Sequence, residues 1–99
     1  MTIVQSALRE LGMASPLSAA SLGGGSIHDV RLVQLEGGDS VVCKVGRGDR
    51  GLRMLQSEHR GLRQLGKTAT VRVPYVYGMI EQQAATVLVT EYLPRSEQV

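Results

Sequence analysis

A chain of 99 residues with 42% hydrophobic side chains and a formal charge of +2 makes one small domain, or a piece of a larger one, with room for a modest core. Phe and Trp are absent and Tyr occurs three times, and the pI of about 9.0 comes from arginines spread along the chain, so base stacking and nucleic-acid binding are not expected. The single cysteine, Cys43, excludes an internal disulfide; with no basic, apolar leader and no long apolar run, the sequence predicts a cytoplasmic chain that does not associate with a membrane.

Residues Thr2 to Leu11 place Ile3, Val4, Ala7, Leu8 and Leu11 at helical spacing. Thr2 and Gln5 fit a capping box and Gly12 a helix stop, which predicts a helix over about 2–12. From Met13 to Ser21 the residues are small and polar around Pro16, as in a linker entering a short strand near 18–22. The run Gly23-Gly24-Gly25-Ser26 follows. Without side chains to intervene, the backbone N–H groups of such a turn can approach and cradle anionic oxygens.

Two strands come next, about His28–Leu35 and Val41–Val45, joined through Gly37-Gly38, a pair suited to a tight antiparallel hairpin. Alternation puts Val42 and Lys44 on one face of the second strand and Val41, Cys43 and Val45 on the other. Lys44 therefore lies beside an apolar surface on the side of the glycine turn.

Residues Asp49 to about Leu65 carry Leu52, Leu55, Leu62 and Leu65 along one helical stripe, and Glu58 falls on that stripe. A carboxylate buried there needs a cation, and Lys44 is the one offered; the alternative is a solvated Glu58 at the stripe's edge. Gly61 to Thr68 satisfies the pattern G-x-x-x-x-G-K-T, yet a phosphate-binding loop of that type follows a strand and opens a helix. Here the pattern closes a helical stripe, so Gly66 reads as the helix cap with Lys67 at the negative end of the dipole. After Pro74, Tyr75–Ile80 and Thr86–Tyr92 read as strands, the second apolar enough for an inner position. His28 and His59 share no metal-ligand spacing with Cys43 and read as surface or packing residues.

Taken in order, Leu22-Gly-Gly-Gly-Ser-Ile27, Val41-Val-Cys-Lys44, Gln56-Ser-Glu58, Val73-Pro74 and Val87-Leu-Val-Thr-Glu-Tyr-Leu93 resemble the N-terminal lobe of a protein-kinase-like fold. The closer resemblance is to the fructosamine kinase (ketosamine-3-kinase) family, relatives of the aminoglycoside phosphotransferases. It implies an α+β lobe, occupying residues 1–99 as a single domain, with about five antiparallel strands, an N-terminal helix and one long helix packed on the sheet. It further implies that Gly23, Gly24, Gly25 and Ser26 cover the phosphates of ATP, that Lys44 contacts the α- and β-phosphates, and that Glu58 holds Lys44. Val30 and Val42 would line the adenine pocket with Thr90 at its back, and backbone groups of Glu91 and Leu93 would bind the base. In the family the catalytic aspartate and the Mg²⁺ ligands belong to a C-terminal lobe, which the sequence to Val99 does not include. The expected chemistry, phosphorylation of a ketosamine hydroxyl on a glycated amine or protein, is therefore that of a complete enzyme, and the chain alone is expected to be inactive. Two alternatives are the N-lobe of an aminoglycoside-type small-molecule kinase and a non-catalytic module that associates with a protein through an exposed inter-lobe surface including Tyr92 and Leu93.

Overall fold

A computed structural model of the chain describes residues 2–24, 28–68, 72–83 and 85–94. In chain order these form α1 (Ile3–Glu10), β1 (Pro16–Gly24), β2 (His28–Leu35), β3 (Ser40–Arg47), α2 (Gly48–Thr68), β4 (Val76–Glu81) and β5 (Ala85–Glu91). The strands make one antiparallel sheet in the order β1-β2-β3-β5-β4, as expected for the α+β lobe. Its two faces are covered by different helices.

Helix α1 starts at the predicted capping box: the Gln5 N–H donates to Thr2 Oγ1 at 3.0 Å and the Thr2 N–H to Gln5 Oε1 at 2.8 Å. Val4, Ala7 and Leu8 are buried and pack with Val33 and Leu35 of β2, Val41, Cys43 and Val45 of β3, and Val87 and Val89 of β5. This is the main core. Period-two alternation thus gives the opposite face of β3 to Val42 and Lys44, which is the face α2 crosses.

The glycine pair Gly37-Gly38 turns the β2–β3 hairpin with φ of 96° and 103°. At the other end of β3, Gly46 and Gly51 bring α2 onto the strand. A Cβ on Gly51 would stand 2.6 Å from the Gly46 carbonyl carbon, and one on Gly46 would stand 2.8 Å from the Gly51 carbonyl oxygen. Leu55, fully buried one turn further on, continues this contact.

Three expectations change. β1 begins at Pro16 and runs through Gly24, which faces Asp29, so Gly23 and Gly24 are strand residues rather than turn residues. The turn proper, with Gly25 and Ser26, lies outside the described residues. α2 continues to Thr68, whose hydroxyl donates to the Gln64 carbonyl at 3.0 Å, so Gly66 lies inside the last turn instead of capping it. Gly61 to Thr68 is helical throughout, which commits its backbone to the helix and leaves no loop to wrap a phosphate. Finally, Leu65 is 49% exposed and leaves the apolar stripe.

Candidate nucleotide site

On the α2 face, Val30 of β2 stands opposite Lys44 of β3, and Val42 stands opposite Thr90 of β5. α2 runs back over this row from the Gly46–Gly51 contact. Leu55 packs beside Gly46, and Glu58, three residues along, arrives over Lys44, two residues back along the strand. Lys44 Nζ donates to Glu58 Oε1 at 2.7 Å. The side chains are 26% and 32% exposed, so the pair is partly shielded from water. Pairing, rather than solvation at the stripe's edge, is the arrangement found. The second carboxylate oxygen, Glu58 Oε2, is buried with no hydrogen-bond partner among the described residues.

Lys44 lies on the wall of a groove of about 540 Å³. β1 contributes Leu22 to it, β3 contributes Val42, and β5 contributes Thr90 and Glu91, with Leu93 following. Leu65, from the last turns of α2, and the segment Arg72-Val73-Pro74 close the opposite side. Its chemistry is a cation held by a carboxylate at one end, Lys44 with Glu58, and at the other a largely apolar slot of Leu22, Val42, Val73 and Pro74 whose rim carries a second ion pair, Arg72 with Glu91. That suits a ligand with an anionic group joined to a flat, mostly apolar ring.

Of the residues that the sequence points to, Val42, Lys44, Thr90, Glu91 and Leu93 line the groove, and Glu58 reaches it through Lys44. Thr90 is buried, as a residue at the back of a pocket would be. Val30 shares the face of Lys44 but is outside the groove's lining. Leu93 is only 4% exposed and Tyr92 is half-buried, so Leu93 offers no exposed surface for docking a partner. Leu22, Leu65 and Arg72 line the groove without having been expected there. Only the Val73-Pro74 segment gave a sequence signal for the far wall, since Leu65 reads as core by its spacing and Arg72 belongs to no motif.

Cys43 takes no part in this groove. It points into the α1 core, fully buried, and burial pushes its thiol up to about 11. Among the described residues no group of three or more His, Cys, Asp or Glu is placed to hold a metal ion. No described helix is long and apolar enough to cross a membrane.

The whole chain, residues 1–99, matches the sequence pattern of the fructosamine kinase family. The chain belongs to that family. It is also similar to a crystal structure named "Putative fructosamine-3-kinase" from Haemophilus somnus 129PT, at 26% identity and a TM-score of 0.73. The match covers 97% of this chain and 32% of that protein. No curated protein matches the chain. The sheet order and the two helices are thus those of a protein-kinase-like N-terminal lobe. Membership makes the chain part of a kinase lineage, whose chemistry in general uses ATP and Mg²⁺.

Proposed function

We propose that this chain is the ATP-binding lobe of a cytoplasmic sugar-amine kinase that phosphorylates a hydroxyl of ketosamines. The reading is carried by one observation. The ion pair of Lys44 and Glu58, at 2.7 Å, lies on a groove whose other end is lined by Val42, Thr90, Glu91 and Leu93. In this reading the Lys44 ammonium neutralises oxygens of the α- and β-phosphates, and Glu58 fixes where that ammonium stands. Leu22 and Val42 pack on the adenine ring, and backbone groups of Glu91 and Leu93 recognise its edge. Gly23, Gly24, Gly25 and Ser26 cover the phosphates as β1 leads into β2.

Mg²⁺, when bound, spreads the charge of the transferring phosphoryl group. We assign its ligands and the catalytic aspartate to a C-terminal lobe, so the chain alone binds ATP weakly and transfers no phosphate. Lys44→Ala, placed in an enzyme containing this lobe, is expected to lower ATP-dependent phosphorylation of a fructosamine at least about 100-fold, the order of a lost charge-assisted contact that strengthens in the transition state. Unchanged activity in that variant would refute the assignment.

A further inference from the structure

Segment Arg72-Val73-Pro74 lines the 540 Å³ groove on one side and, on the other, a second groove of about 660 Å³ between α2 and β4. It is the wall between them. Glu91, the last residue of β5, is fastened at three points to this segment and the residue after it, Tyr75. Its Oε2 accepts from the Arg72 guanidinium, its Oε1 accepts from the Tyr75 N–H at 3.2 Å, and its own N–H donates to the Tyr75 carbonyl at 2.7 Å. Both carboxylate oxygens are therefore used. Because the Glu91 N–H is spent on Tyr75, any backbone contact from Glu91 to a base is made by its carbonyl oxygen, whose direction the strap fixes.

We propose that Arg72 is a positioning residue for the base-binding end of the nucleotide groove, acting through the Glu91 carboxylate. The inference rests on the ATP-binding reading above. Arg72 is 55% exposed and Glu91 27% exposed, so the pair adds little to global stability. Its effect is local. The last pairing of β4 with β5 is Val76 with Thr90, and beyond it these contacts join Arg72 and Tyr75 to Glu91, where the chain leaves β5. A planar guanidinium is suited to holding a carboxylate in one orientation, which a lysine at the same position cannot do as well.

The test compares two ligands, ATP and inorganic tripolyphosphate, on the same variants placed in an enzyme containing this lobe, by ¹⁵N NMR titration. Tripolyphosphate has the phosphates and no base. Arg72→Gln is expected to weaken ATP binding about three- to tenfold and tripolyphosphate binding by less than about twofold, the signature of a contact acting at the base end. Glu91→Gln, which keeps the backbone, should reproduce both results, and the double variant should be no worse than either single one. Arg72→Lys should recover only part of the loss. Equal weakening of both ligands by Arg72→Gln would mean that Arg72 touches the phosphates itself, and unchanged ATP affinity would mean that the strap positions nothing; either overturns the proposal. So does an unsubstituted protein that binds ATP no better than tripolyphosphate, since no base recognition would then exist to position. An unsubstituted protein that binds neither ligand overturns the nucleotide reading as well.

Discussion

Removing the Lys44 ammonium separates what holds the lobe together from what it would do to a ligand. In Lys44→Ala the ion pair with Glu58 disappears. Both partners are about a third exposed or less, so the pair itself is worth about 1 kcal/mol after solvent screening. The carboxylate left behind costs more. Glu58 Oε2 is already buried without a partner, and losing Lys44 leaves the whole carboxylate uncompensated, at about 1–3 kcal/mol. Lys44→Met with Glu58→Gln removes the cation and the stranded charge together, so it should be more stable than Lys44→Ala alone. Phosphate binding should behave differently. A charge-assisted hydrogen bond of about 1.5–3 kcal/mol corresponds to roughly 10- to 150-fold in affinity, and both variants lose it. Urea unfolding gives the first quantity and titration with ATP gives the second. If the double variant is the less stable, the stranded-carboxylate account is wrong. If either variant binds ATP within about twofold of the unsubstituted protein, Lys44 is not the phosphate cation.

Further expectations follow from packing and from Cys43. Gly51→Ala sets a Cβ 2.6 Å from the Gly46 backbone, where no side chain can yield, so it should cost at least about 2 kcal/mol and lower the thermal midpoint by about 8–16 °C. Gly61→Ala in the same helix meets nothing within 4 Å and should stabilise by about 0.5–1 kcal/mol, a control for the helix itself. Thr2→Ala removes the α1 cap and should cost about 1 kcal/mol by urea unfolding. The Cys43 thiol, raised from 9.0 to about 11 by burial, stays protonated in the folded protein while the unfolded chain ionises near 9, so its stabilising effect is complete below pH 9. It should be lost between about pH 9 and 11, amounting to about 2–3 kcal/mol, and a Cys43→Ala protein should lack that part of the decline. The same burial predicts that iodoacetamide labels Cys43 only after unfolding.

The hairpin, the two faces of β3 and the helix over Lys44 were legible because each rests on a short-range rule. Alternation along Val41 to Val45 separates core from site without reference to the rest of the chain, and every one of those residues falls on the face it assigns. The place of Glu58 on the apolar stripe followed from the same kind of rule, but spacing left open whether it pairs with Lys44 or is solvated at the stripe's edge, and the ion pair of the folded lobe decides it. The limits of β1 were not legible. Its residues Ser18 to Gly24 are, apart from Leu22, small and weakly β-forming, and the strand exists because β2 offers an antiparallel ladder, interrupted by two register shifts, an interaction between segments that propensity does not contain. The end of α2 failed for a related reason: Gly66 has the residue type of a cap, yet the helix continues past it to Thr68.

The wall formed by Leu65 and Arg72 was missed because the two residues carry opposite and equally misleading signals. Leu65 has core spacing, yet its side chain borders the groove at 49% exposure. Arg72 reads as one more scattered cation, but tertiary folding brings it to Glu91, nineteen residues away in sequence. Neither placement depends on neighbouring residues; both depend on where the segment between α2 and β4 returns to the sheet. This is why periodicity could place Lys44 and Glu58, to which the family resemblance gives the phosphate side, and could not place Leu65 and Arg72. Lys44 and Glu58 are set by the internal periodicities of β3 and α2 and by the Gly46–Gly51 contact that joins them. The far wall is set by the packing of three separate elements, and it is at this less constrained wall that substitutions should alter recognition of the base with little effect on the grip on the phosphates.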